Sequence, residues 1–274
     1  MSANPRQVMA PQSSGMSPVR NIAKCLKGCC AGLLLTVLLT GGIGCLAGEY
    51  PGAGIFTSST RLIFPSTSRD ASLQIFNENE YPVILQTWID DGDENALPDE
   101  LDTPFVVIPP LIRLQPHESR AVRIIYTQRP LPEDRESVFW FNAQMIPPVP
   151  HAQPGQKSEI NLSVRLRQKI FFRPRHIDKG SEEWAKKLDC STQLYQEDEA
   201  VINCRNPTPY YATVDKIALH TGNETLTQTG GMLEPFSDRN FHLKDSVSDG
   251  KDTGNFIELS IIDDEGFVRK IVRK

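Results

Sequence analysis

Hydrophobic and polar residues alternate with a period of two in several stretches of this chain. The clearest run is residues 159–174, EINLSVRLRQKIFFRP. Ile160, Leu162, Val164 and Leu166 alternate with Asn161, Ser163, Arg165 and Arg167, which predicts a strand with one apolar face. At Ile170-Phe171-Phe172 the alternation gives way to a continuous apolar run, suited to burial on both faces. Arg173-Pro174 closes the strand, because proline cannot donate to a ladder. The strand therefore has two halves. The second is core. The first carries an apolar stripe, a basic opposite face and an approach rich in Pro, Gly and Gln over residues 147–157. A long apolar edge strand invites aggregation and is normally blunted. If this one is open, pairing with another chain is its purpose. If it is closed, the stripe faces the chain's own core, and pattern alone favours that ordinary reading.

Further strands are expected on both sides of this one. Upstream, residues 71–76 and 120–126 alternate, and strands are also expected over 60–65, 83–89 (with Trp88 expected in a core), the apolar 105–108, 111–114 and 137–146. Residues 90–102 read as an acidic, solvated loop. About seven strands in roughly 120 residues, with a turn signal near every tenth residue, is the profile of an immunoglobulin-like sandwich. Residues 176–187, HIDKGSEEWAKK, change composition and read as a linker with one helical turn. Shorter strands follow over residues 188–195, 200–205, 210–220, 224–228, 231–233, 239–243, 255–263 and 267–272, a second and smaller all-β domain.

The N-terminus adds a destination. Arg6, Arg20, Lys24 and Lys27 precede an apolar run over residues 29–43, and small residues follow at Gly44, Cys45, Ala47 and Gly48. A basic region, a short apolar core and a small-residue cleavage site make a secretory signal, here residues 1–47, with cleavage after Ala47 or else Ala53. The domains then run over residues 48–175 and 176–274. An uncleaved anchor, or a lipoprotein linked through Cys45, is the rival reading. Beyond the signal only Cys190 and Cys204 remain. Two cysteines in an oxidising compartment pair as one disulfide. They are 14 apart with a turn-like QEDE between them, so they can face each other across a hairpin. Closing such a loop stabilises by roughly 3 kcal/mol.

Charge and motifs exclude more than they assign. A net charge of −5 argues against a general nucleic-acid binder. The five histidines include no pair at metal spacing, and no metal site is expected. No nucleophile elbow or phosphate-cradling glycine loop is present, and no catalytic residue is assigned. Residues 263–266, DDEG, read as a hairpin turn. Asn161 and Asn223 begin glycosylation sequons that matter only in a eukaryotic host. Arg61 and Lys169 stand inside apolar strands. Such cations usually snorkel or pair with a carboxylate. Alternatively, two of them meet in a cleft and capture a carboxylate through charge-assisted hydrogen bonds. Spacing does not separate these readings.

Several segments together resemble the periplasmic chaperones of pilus assembly, the chaperone–usher system. They are TRLIFP (60–65), PVILQTWID (82–90), FVVIPPLIRLQP (105–116), LPEDRESVFWFNAQMIPP (131–148), RQKIFFRP (167–174) and NPTPYY (206–211), in the family's order. The resemblance implies two immunoglobulin-like β-sandwich domains in a boomerang. It implies that Arg61 and Lys169 anchor the C-terminal carboxylate of a pilin. It implies that Ile160, Leu162, Val164 and Leu166 form a donor strand lent to a subunit that lacks its own last strand, which reverses the ordinary reading. It further implies an interdomain charge network of Glu136, Arg173 and Asp264. The expected partners are pilin or fimbrial subunits and an outer-membrane usher, with no ATP or other cofactor. The open edge is available to a second copy of the chain as well. The loop over residues 149–159 is somewhat long for the short-loop class but has no added apolar run, so the short-loop class is expected. The Cys190–Cys204 pair is not a general family feature. A structural pilus subunit or adhesin with the same fold is the alternative; it would carry a donor extension of its own and usually lack the paired cations. A sandwich hydrolase would need a His/carboxylate cluster that the sequence does not offer.

Overall fold

The computed structural model describes residues 54–146, 163–177, 183–195, 199–222, 224–244 and 255–273. The expectations for the signal, for the approach to the long strand, for Ile160 and Leu162, and for Asn161 and Asn223 lie outside these residues. Within them the chain is almost entirely β, arranged as two sandwiches.

The first sandwich packs two sheets face to face. One is ordered β1 (Ile55–Thr57), β3 (Asp70–Asn77), β7 (Ser119–Tyr126), β5 (Phe105–Ile108). The other is ordered β2 (Arg61–Pro65), β9 (Arg165–Arg173), β8 (Ser137–Ile146), β4 (Val83–Asp90), β6 (Leu111–Leu114). The opening stretch switches sheets: β1 pairs antiparallel with β3, and β2 then crosses to pair parallel with β9. Alternation drives the layers together, because every second residue of each strand turns inward. Leu73 and Ile75 of β3, Leu85 of β4, Ile124 of β7 and Phe141 of β8 are fully buried on the shared core. Phe64, Phe105, Tyr126, Phe139 and Phe172 form an aromatic cluster at one end, with Phe64–Phe105 edge-to-face at 5.2 Å.

Two expectations change here. Trp88 is not in the core. The inward residues of β4 are Val83, Leu85, Thr87 and Ile89, so Trp88 lies on the opposite face, half-buried. Asp90 is not part of a solvated loop. It ends β4 and is fully buried, for a reason that β9 supplies.

The second sandwich packs β10 (Asp189–Tyr195), β11 (Glu199–Asn206) and β14 (Ser237–Lys244) against β13 (Glu224–Leu233), β12 (Ala212–Thr221), β15 (Phe256–Ile262) and β16 (Val268–Arg273). Cys190 and Cys204 are directly opposite in the β10–β11 hairpin and are joined by a disulfide. The two strands expected over 224–233 are one, because the pairing with β12 keeps one register on both sides of Gly230, Lys216 with Thr229 and Val214 with Gly231, while β12 bulges only toward β15. A Cβ at Gly230 would stand 2.2 Å from the Val214 carbonyl oxygen, so only glycine fits that close approach. The expected linker also does more than connect. Trp184 and Ala185 are buried in the second core, since the indole finds its apolar surroundings there. Arg273 closes the adjoining short 3-10 turn (Ala185–Lys187) by donating to the carbonyls of Ala185, Lys186 and Leu188.

Candidate functional site

Strand β9 organises the site, and its two halves differ in their neighbours. Residues 169–172 have β2 on one side and β8 on the other. Residues 165–168 pair with β8 alone, and among the described residues no strand covers their opposite edge. The ladder with β8 extends to Val164, whose carbonyl accepts from the Met145 amide at 2.8 Å. Side chains alternate across this strand. Ile170 and Phe172 enter the core of the first sandwich, and Leu166 is partly buried against it. Val164 is half exposed. On the other face stand Arg165, Arg167, Lys169, Phe171 and Arg173. Phe171 is buried there, with Arg61 over its ring at 5.7 Å and Tyr211 of the second sandwich at 6.0 Å. The continuous apolar run thus has two environments, one for each face.

The parallel register sets Arg61 directly beside Lys169. Neighbouring strands lie about 4.8 Å apart, so two cations share one small region. Arg61 is largely buried; its Nη1 donates to the carbonyl of Ile262 at 3.0 Å, and its Nε is buried with no hydrogen-bond partner among the described residues. Burial pushes the guanidinium down, and Asp264, Asp263 and Glu136 recover only part of the loss. Burial lowers the Lys169 ammonium too, and the positive Arg61 and Arg167 lower it further. Among the described residues no carboxylate lies within ion-pair distance of Lys169. Two crowded cations short of anionic partners make a site that a carboxylate would relieve.

At the end of β9, Arg173 joins the two sandwiches. Its Nε donates to Glu136 at 2.7 Å, and its two terminal nitrogens hold Asp264 bidentately at 2.7 and 3.0 Å. Asp264 sits in the turn between β15 and β16, where Gly266 adopts φ +91°. Glu136 also accepts from the Tyr211 amide at 2.8 Å, while its own amide donates to the Pro209 carbonyl. Burial pushes the Glu136 carboxyl up, and Arg173 and the Tyr211 amide only partly offset this. Burial also works against charged Arg173, but two carboxylates together outweigh it and raise the guanidinium. The asymmetry follows from the count of charges, two negative around one positive.

A second cluster lies under the open half of β9, and spacing along the chain hardly points to it. Buried Asp90 accepts from Arg167 at 2.6 Å, Arg165 at 3.3 Å, Asn142 at 2.7 Å and the Gly92 amide at 2.8 Å. Arg165 also donates to the Asn142 side-chain oxygen at 2.8 Å. Each guanidinium stacks over an indole, Arg165 on Trp88 at 5.0 Å and Arg167 on Trp140 at 4.9 Å. Burial alone would raise the Asp90 carboxyl, but the hydrogen bonds from Arg167, Asn142 and Gly92 hold it below the usual carboxylate range. The one available signal was two arginines spaced by two on a strand, with an acid closing a neighbouring strand.

Comparison with known proteins bears on the whole arrangement. Residues 54–178 match the family model for the pili and flagellar-assembly chaperone, PapD N-terminal domain, and residues 183–271 match that for the pili assembly chaperone PapD, C-terminal domain. The chain is 33% identical over 196 residues to the chaperone protein FimB/FhaD of Bordetella pertussis, covering 70% of this chain and 78% of that protein. Its fold is similar to the crystal structure of the Pseudomonas aeruginosa CupB2 chaperone, with 32% identity, a TM-score of 0.63, and 80% and 99% of the two chains covered. It is also similar to a chain in the complex of Salmonella enterica SafA pilin with the SafB chaperone, with 26% identity, a TM-score of 0.65, and coverage of 81% and 96%.

Proposed function

Because this chain belongs to the pili-assembly chaperone family of the chaperone–usher system, we propose that it binds pilin subunits by lending them the open edge of β9. In this reading the edge supplies main-chain hydrogen bonds to a subunit that lacks its last strand, and alternate side chains fill the subunit's groove. Ile160, Leu162, Val164 and Leu166 are the side chains lent; Leu166 already leans on the chaperone's own core and marks where the row ends. Arg61 and Lys169 receive the subunit's C-terminal carboxylate, and the subunit then passes to an outer-membrane usher. The work is done in the periplasm, supported by the signal-like N-terminus and by a disulfide suited to an oxidising compartment. Binding and exchange need no catalytic group.

The observation that carries this reading is the pair of crowded cations, one with no carboxylate in ion-pair distance among the described residues, at the foot of an edge that no described strand covers. The same reading is supported by likeness to a chain in a solved complex of a pilin with a chaperone. Replacing Lys169 or Arg61 by alanine should abolish co-purification of pilin while leaving circular dichroism and thermal unfolding near the parent's. Pilin recovered at the parental level from either variant would refute the anchor.

A further inference from the structure

Asp90 stands where the edge of β9 opens, and its partners are all arranged around that strand. Arg165 and Arg167 flank Leu166 on the strand and project from the face opposite to it. Both reach one carboxylate that is fully buried, and both are pressed on indoles from β4 and β8. Further along, β2 helps to fix β9; here β8 is the strand's sole ladder among the described residues. An edge strand with one ladder is prone to slip, and a slip by one residue exchanges its faces. Such a slip would bring Leu166 over the buried Asp90 charge and drive two guanidiniums toward the apolar core. A slip by two keeps the faces but puts Ser163 or Lys169 where a guanidinium is held. Neither can supply the planar fork or the stacking that arginine gives there.

We propose that Asp90 is a positioning residue that fixes the register and facing of the open edge of β9, and so selects the side chains this edge presents to a partner strand. Only the final clause, on presentation, rests on the strand-lending reading above. Asp90 touches no guest in that reading; it acts through Arg165 and Arg167.

The test uses the free, 15N-labelled protein, so its outcome is separate from pilin capture, which the Lys169 variant addresses. Amide hydrogen exchange and cross-strand proton contacts between Ala143 and Leu166, partners in the β8–β9 register, are compared in the parent and in Asp90→Asn. Exchange at the Leu166 and Gln168 amides should quicken at least tenfold, and the Ala143–Leu166 contact should weaken or split. Ile170 and Phe172, laddered on both sides, should keep their parental protection, as should β12 in the second sandwich. Arg167→Met, at a side chain that is partly exposed, should give the same local pattern to a smaller degree and decides the matter if Asp90→Asn does not fold. Unchanged exchange at Leu166 would overturn the proposal, as would a uniform rise across both sandwiches, which is the mark of a general stabilising role.

Discussion

Replacing Arg173 by alanine should loosen the whole molecule rather than one domain. The guanidinium is 6% exposed and Glu136 is 2% exposed, whereas Asp264 is 18% exposed. Removing the cation leaves the Glu136 carboxylate in the interior with one amide, that of Tyr211, to satisfy it. Breaking a buried pair from one side costs about 3–5 kcal/mol, because the remaining charge is uncompensated. Asp264 can turn toward water and adds less. The assay is equilibrium urea unfolding followed by tryptophan fluorescence, where Trp88 and Trp140 report the first sandwich and Trp184 the second. A control separates charge from packing: Arg173→Met combined with Glu136→Gln removes both charges and keeps the volume. It should recover at least half of the loss, since burial already disfavours the Glu136 charge. A cost below about 1 kcal/mol for Arg173→Ala, the level of an exposed pair, would refute the reasoning, and so would a double variant no more stable than the single one.

Lys169 sets a pH dependence. Burial and two neighbouring cations lower it, so as pH rises it loses its proton before an ordinary lysine, whose pKa is about 10.4. A guest carboxylate binds the charged form and would itself raise the ammonium again, so affinity for pilin should be full at neutral pH and fall as pH rises through the lowered Lys169 value of the free chain. Lys169→Arg should flatten the profile, and a flat profile in the parent would count against the anchor. Cys190→Ser should cost roughly 3 kcal/mol in urea unfolding through the reopened hairpin loop; equal midpoints for parent and variant would contradict this. Gly230→Ala forces a methyl against the Val214 carbonyl and should cost about 1–3 kcal/mol, read as a lowered midpoint for the Trp184 signal.

The strand pattern was legible because alternation is a local property. Residues 71–76 and 120–126 announce their inward faces by sequence alone, and β3 and β7 follow them. The error at Trp88 came from ranking residues by size, when parity along the strand decides the face. Asp90 was misread because a carboxylate among acidic neighbours looks solvated, and its two arginines arrive from about 75 residues away in sequence. The proximity of Arg61 and Lys169 was likewise invisible to spacing; a resemblance suggested it, and the parallel β2–β9 register produces it. Burial of Trp184 was missed since a short charged segment gives an indole no local periodicity to join.

The exposed margin of β9 is as much a hazard as a tool, for a second copy of the protein carries the same margin. Were two such margins to meet head to tail, Arg165 and Arg167 of each would face those of the other, with Asp90 and Glu94 of each copy already engaged on them. Like charges across a ladder repel. We expect the arginine pair to weigh against such self-pairing and to favour visitors whose edge is neutral or acidic.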